Sequence, residues 1–333
     1  MNKLEQKNAF DGSLVFGAKK FQSITGRLEI NEKKPIDLEV FEKFGDKKTG
    51  RIKSNYLEER PCLCDKKQYR EVFNKYGFTY ILCKNCGLFF VNPILKDETL
   101  MDFYENEQTW LNVLQNPMQQ KMDKLKFSYG LDLIELNIQR GTLLDVGSGT
   151  GHFMRIANDR GWKSLGIEFN KKEIELSIKE GLEIVDKKLE DPFFNKKKFK
   201  LITMWEVLEH LKDPKEIIKR SYELIEPGGL ILILVPNRDS LLNRILHEKS
   251  ETLTPHCHIS MFNNVTLNNL LINEGFSILE TETVVSELDN ISNHLNYDNA
   301  YNGETPKALN FLTPEFIHSN MLGCKLLTIA QKV

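Results

Sequence analysis

Five short apolar runs mark the second half of the chain: TLLDV (142–146), SLGIE (164–168), LEIVD (182–186), FKLITMW (199–205) and LILILVP (230–236). Between them lie stretches such as HFMRIANDRG, KKEIELSIKEG and PKEIIKRSYELI, whose apolar residues recur every three or four positions as on one face of a helix. Short strands alternating with helices predict βαβ units, hence a parallel sheet with helices on both faces. EPGG (226–229) supplies a helix stop and a turn into the following strand. VTLNNLLINEGFSILETETVV then adds one more helix and strand, and KLLTIAQKV a final strand. Upstream, residues 97–139 read as helices, the last being KLKFSYGLDLIELNI. Residues 1–60 are charged and weakly patterned, and the Gly breaks in GSLVFGAKKFQSITGRLEI suit a small hairpin.

Composition narrows the picture. A chain of 333 residues, 41% hydrophobic and 28% charged, is long enough for a large folded domain and a small one. With 45 Lys+Arg against 47 Asp+Glu it lacks the basic footprint of a dedicated nucleic-acid binder. LILILV (230–235), the longest strongly apolar run, is too short to span a bilayer, and the N-terminus has no apolar core of signal-peptide kind. A cytoplasmic protein is expected. In that compartment six cysteines point to metal ligation or burial rather than to disulfides.

The loop after the first strand of the sheet, LLDVGSGTGHFMRIA, carries Gly147, Gly149 and Gly151 where an open parallel sheet binds ligands. A dinucleotide fingerprint needs a glycine where His152 stands, and a Walker loop needs a Gly-Lys-Ser/Thr that is missing. What remains is Asp-x-Gly-x-Gly-x-Gly, Asp145 to Gly151, with Glu168 ending the next strand, a placement that suits paired ribose hydroxyls. From about Leu143 to Leu279 the chain resembles the class I S-adenosylmethionine-dependent methyltransferases. The glycine loop matches their first motif, SLGIEFN the ribose-binding strand end, KKLED the adenine-side loop, and FKLITMWEVLEHLKDP with LIEPGGLILILVPN the strand-four to strand-five region. Lys200 departs from the Asp common at its position.

The resemblance implies a Rossmann-like α/β sheet and S-adenosylmethionine as cofactor. It implies that Gly147, Ser148, Gly149 and Gly151 approach the methionine portion, and that Asp145 orders the loop and the ammonium. Glu168 takes the ribose, Phe169 covers the adenine and Leu189 with Glu190 meets its edge; Met204, on the fourth strand, belongs to the same cofactor set.

Cys62, Cys64, Cys83 and Cys86 offer four thiolates, enough to close a tetrahedral structural zinc site; the alternative is a set of buried thiols. CKNCG has the standard knuckle spacing, whereas CLC is one residue shorter. The block PCLCD…KYGFTYILCKNCGLFFVNP resembles the N-terminal zinc-binding segment of bacterial methyltransferases that modify sugars, polysaccharides and natural products. Cys257 and Cys324, remote from this block, read as ordinary thiols.

EVLEHLKDP follows the fourth strand and starts Glu206, Glu209 and His210 near the pocket mouth. In the sugar methyltransferases that the chain resembles, a Glu-His pair here is implicated in acceptor binding and proton removal. It maps onto Glu209 and His210, either as catalytic groups or as residues that order the loop. His256 and His258 in TPHCHISMF are further candidates for the acceptor side. TMWE replaces the Asn/Asp-Pro-Pro-aromatic tetrad of base methylation, and no stacking stripe of aromatics is present. The expected organisation is an N-terminal extension (1–60), a zinc-binding module (61–96), a helical linker or lid (97–140) and the methyltransferase domain (141–333). The expected reaction is methyl transfer to a small or carrier-linked acceptor, foremost a sugar. An RNA methyltransferase and a non-catalytic, cofactor-binding partner protein are the alternatives.

Overall fold

The computed structural model describes residues 2–25, 35–104, 109–297 and 311–333. In chain order the elements that position the site begin with helices α1 (Lys3–Phe10) and α2 (Ile36–Phe44), then strands β1 (Tyr69–Lys75), β2 (Phe78–Cys83) and β3 (Phe89–Val91). Helix α3 (Pro117–Glu135) leads into β4 (Thr142–Val146), α4 (His152–Asp159), β5 (Lys163–Ile167), α5 (Lys171–Lys179) and β6 (Ile184–Val185). After them come β7 (Phe199–Trp205), α6 (Pro214–Leu224), β8 (Ile225–Pro236), β9 (Ser260–Met261), α7 (Asn264–Asn273), β10 (Phe276–Val284) and β11 (Lys325–Lys332).

The large sheet has seven strands in the order β6-β5-β4-β7-β8-β11-β10. The first five are parallel, and β11 runs antiparallel to both β8 and β10. Alternation along each strand divides the core. Leu143, Leu201, Leu230, Leu232 and Leu234 pack with Tyr129 and Ile134 of α3 and Phe153 and Ile156 of α4. Leu144, Val146, Ile202, Met204, Ile231 and Ile233 pack on the other face with Ile218 of α6, Leu267 and Leu271 of α7, and Cys62, Cys83, Leu88 and Phe90. Covered on both faces, the central strands read as continuous apolar runs.

TLLDV and FKLITMW form strands over their whole expected length, whereas LEIVD keeps only the two edge residues of β6. EPGG does follow a helix end, since α6 stops at Leu224. It is not a turn ahead of β8, however, but a bulge inside it: Phe199 pairs with Ile225 and Leu201 with Leu230, and Gly228 takes φ +77° in the loop between. The hairpin expected within 12–30 is replaced by helices at Gly12–Phe16 and Ala18–Ile24, with 26–30 outside the described residues. The Asp11 side chain accepts the Leu14 N–H and Gly17 turns the chain at φ +81° between the two helices, so local capping decides against pairing.

The smaller sheet, β9-β3-β2-β1, takes its edge strand from residues far downstream, because Ser260 and Met261 pair with Phe90 and Phe89. The N-terminal residues also lie on the rest of the chain. Phe10 of α1 packs on Tyr129 with ring centroids 5.6 Å apart, and Lys7 reaches Glu282 on β10 at 3.2 Å. Among the described residues no helix is long and apolar enough to cross a membrane.

Candidate active site

The glycine loop follows β4 at the carboxyl edge of the parallel strands. Gly147, Gly149 and Gly151 take φ +71°, +55° and +72°, the left-handed region that other residues enter at a cost. Space is closed as well: a Cβ on Gly147 would lie 2.6 Å from Val207, and one on Gly151 2.2 Å from Leu182. The N–H groups of Gly147 and Ser148 both donate to the Ile167 carbonyl at 2.9 Å, tying the loop to the end of β5. Asp145 is buried at the base, where its Oδ1 accepts from the Thr203 hydroxyl at 2.7 Å. Burial, helped by the charge of Glu168 and opposed by the Thr203 hydrogen bond, pushes its carboxyl up to about 7.

Glu168 stands one residue past β5. Its Oε2 accepts the Gly149 N–H at 2.9 Å, and its Oε1 accepts the N–H groups of Phe169 and Asn170 at 2.7 and 2.9 Å. The structure therefore brings together Asp145, the glycines and Glu168. Phe169 beside them is 59% exposed, a large apolar ring left uncovered at the site. Glu190 is exposed, while Leu189 and Met204 are 3% and 0% exposed and belong to the core beneath the loop. Two residues absent from the sequence reading join this edge. Thr203 holds Asp145, and Glu173 of α5 is pushed up to about 7 by burial and then by Glu168.

The four cysteines of the first block also converge. Cys62 and Cys86 place their Sγ atoms 3.3 Å apart, Cys64 and Cys83 3.6 Å, and Cys62 and Cys64 3.9 Å. Four thiolates at about 2.3 Å from a tetrahedral zinc would lie roughly 3.8 Å from one another, so the cluster has the dimensions of such a site. The short CLC knuckle closes because Asp65 adopts φ +56° and donates its N–H to the Cys62 carbonyl at 2.9 Å.

Residues 118–281 match the family described as "Methyltransferase domain". The matched segment, just under half of the chain, is similar to a methyltransferase domain. An uncharacterized protein of Methanocaldococcus jannaschii is 26% identical over 162 residues, 48% of this chain and 77% of that protein. The ubiquinone biosynthesis O-methyltransferase of Pelagibacter ubique is 33% identical over 101 residues, 29% of this chain and 42% of that protein. The chain thus spans less than half the length of that O-methyltransferase. A crystal structure of a SAM-dependent methyltransferase from Archaeoglobus fulgidus covers 64% of this chain and 94% of its own, at 18% identity and TM-score 0.45.

Beside the glycine loop lies the segment after β7. Glu206 takes φ +58° and its Oε2 pairs with Lys325 at 2.8 Å. Val207 packs against Gly147, and a single 3-10 turn, Leu208–His210, follows. Glu209 is fully buried, and among the described residues neither of its carboxylate oxygens has a hydrogen-bond partner. Burial pushes it up to about 7 against the pull of His210. Burial also depresses the His210 imidazole, but its hydrogen bonding to Cys257 and the Glu209 charge outweigh that and hold it at about 9.

Cys257 is not the isolated thiol that its sequence position suggests. His210 Nδ1 lies 3.1 Å from the Cys257 carbonyl, and the His210 and His258 rings meet edge to face at 4.8 Å. One ligand atom from each of His210, Cys257 and His258 falls within 4.8 Å of the others. His256 forms a buried pair with Asp37, Nδ1 to Oδ1 2.6 Å, and also lies against Cys257. The sequence signals for this corner are EVLEHLKDP and the run HCH, and nothing local connects HCH to His210, 47 residues earlier.

Proposed function

We propose that this chain transfers the methyl group of S-adenosylmethionine to a hydroxyl of a small or carrier-linked acceptor, with a sugar as the favoured class. The observation that carries the reading is the left-handed glycine loop hydrogen-bonded through Gly149 to Glu168, at the carboxyl edge of a parallel sheet. In this reading Asp145 meets the cofactor ammonium, the loop backbone lies along the methionine portion, and Glu168 takes the ribose hydroxyls. Phe169 covers the adenine and Glu190 meets its edge, while Leu189 and Met204 support these groups from the core. Methyl transfer is an in-line displacement at a sulfonium carbon, so the chain's task is to align the acceptor oxygen.

A hydroxyl acceptor is in keeping with the relatives named ubiquinone biosynthesis O-methyltransferases. The resemblance of the cysteine block favours a sugar. The charge balance speaks against an RNA substrate. We assign the four-cysteine cluster a structural zinc and the chain a cytoplasmic location, where its thiols stay reduced.

Calorimetric titration with S-adenosylmethionine tests the reading. Wild-type protein should bind, and Glu168→Ala should weaken binding by about 1.5–3 kcal/mol, the range for a hydrogen bond to a charged group. A wild-type protein that does not bind would overturn the function, and an unchanged affinity in the variant the ribose placement. Metal analysis should find zinc that is lost on Cys83→Ser; no zinc at this cluster would reduce it to buried thiols.

A further inference from the structure

We propose that His210, Cys257 and His258 form a second metal site, a three-ligand set for a borderline-soft divalent cation such as Zn²⁺, with its fourth position open on the acceptor side. Thiolate with imidazole is the donor combination that such ions prefer, and three protein ligands are what distinguish a reactive zinc site from a closed structural one.

Three features point to a ligand set rather than a chance contact. The first is the orientation of the rings. His210 Nδ1 is bonded to the Cys257 carbonyl at 3.1 Å and His258 Nδ1 to the Thr252 carbonyl at 2.8 Å. With Nδ1–H given to a carbonyl, an imidazole coordinates a metal through Nε2, and a proton held there is released as the ion binds. One ring nitrogen of each histidine and the Cys257 Sγ already lie within 4.8 Å of one another, against the roughly 3.3–3.6 Å of a tetrahedral zinc.

The second is rigidity. The N–H groups of Cys257 and His258 both donate to the Thr254 carbonyl, Asp37 holds His256, and Arg60 reaches the Ile259 carbonyl and the Ser260 hydroxyl. The segment that carries two of the three ligands is thus fixed before any ion arrives. The third is charge. The buried Glu209 carboxylate, next to His210, has no hydrogen-bond partner among the described residues, and a cation at the site would offset its charge. The positive charge of Lys325 is already met by Glu206.

The site stands where an acceptor has to approach, because His210 lies in the 3-10 turn after β7 and Val207 of that segment packs on Gly147. The role in catalysis rests on the methyl-transfer reading above; the metal site itself does not. An acceptor hydroxyl or thiol coordinated here would release its proton to solvent. The resulting anion would form the new bond to the methyl carbon as the sulfonium C–S bond breaks, with that electron pair returning to sulfur.

The test is metal content after stripping the full-length protein with a chelator and reloading it with Zn²⁺ alone. Cys257→Ala and His258→Asn should each hold one zinc fewer per chain than the wild type, whatever the four-cysteine cluster binds. Cys83→Ser should leave this ion in place. A zinc content equal in wild type and both variants would overturn the proposal. Should a variant fail to fold, cobalt-loaded wild-type protein decides. Two optical signatures, one from four sulfurs and one from a nitrogen-rich set with a single sulfur, are expected, and the sulfur-rich signature alone would overturn it. Titration with S-adenosylmethionine in parallel separates the two readings: a wild type that binds the second zinc but no cofactor would retain the metal site and lose the methyl transfer.

Discussion

The glycine loop and the histidine–cysteine corner lie on the same edge of the sheet, yet they are assembled in opposite ways. Asp145, the three glycines and Glu168 occupy two consecutive strand ends, and hydrogen bonds involving the backbone hold them: Gly147 and Ser148 to Ile167, Gly149 to Glu168. The corner gathers Asp37, Glu206 to His210, Thr252 to His258 and Lys325, and the contacts of Asp37 with His256, Glu206 with Lys325 and His210 with Cys257 join residues far apart in the sequence. The loop depends on a conformation that a short sequence can dictate by itself. The corner depends on the whole fold being in place.

That contrast can be tested from its strong end. Asp37→Ala leaves the His256 imidazole and N–H buried without their carboxylate, and loss of one partner from a buried pair costs about 3–5 kcal/mol. Denaturant unfolding should show that loss while the affinity for S-adenosylmethionine in the folded protein stays near wild type. An equal fall in cofactor affinity would mean that the two regions are one unit. Gly151→Ala attacks the loop instead, through a left-handed residue costing about 1–2 kcal/mol and overpacking against Leu182 costing about 1–3 kcal/mol. Here stability and cofactor binding should fall together, as equilibrium unfolding and calorimetry would report.

A smaller effect follows from Asp145. Burial lifts its carboxyl to about 7 in the folded chain from about 3.9 when unfolded, so between these values the folded state holds more protons. Ligand-free protein should therefore lose stability as pH rises from about 4 to about 7, by at most about 1.4 kcal/mol per pH unit from this group, and level off above. Glu173 acts in the same direction. In the proposed pose, with Asp145 at the ammonium, cofactor affinity should run the opposite way, rising with pH through about 7. Asp145→Asn should remove this part of both profiles in melting and titration series, and profiles unchanged in the variant would assign the proton elsewhere. Smallest of all is Lys215→Ala, which breaks an exposed ion pair with Asp65 in the cysteine turn. A change of about 0–1 kcal/mol in unfolding free energy is expected, and a larger one would show that α6 clamps the cysteine block.

The same contrast explains what could be read in advance. β4, β7 and the helices between the parallel strands announced themselves through apolar periodicity, and the glycines and Glu168 through a spacing set by one βαβ unit. The hairpin expected near residue 12 failed because Asp11 and Gly17 cap helices, a local preference that short apolar runs do not reveal. LEIVD shrank to two residues at the edge of the sheet, where little packing rewards extension. Glu206 gave no sign of its left-handed backbone or its pairing with Lys325, and Cys257 none of its place beside His210. Both depend on residues brought in by distant strands.

The pairing of β9 with β3 has a consequence for how the chain emerges from the ribosome. The strand Phe89–Val91 must wait for Ser260 and Met261, about 170 residues later, before its outer edge is covered. At synthesis rates of about 5–20 residues per second the interval is on the order of 10–30 s. Throughout it an apolar strand edge stands open as a template for other chains. A fragment that stops short of residue 260 would keep that edge open permanently, so the cysteine block made alone should aggregate rather than fold.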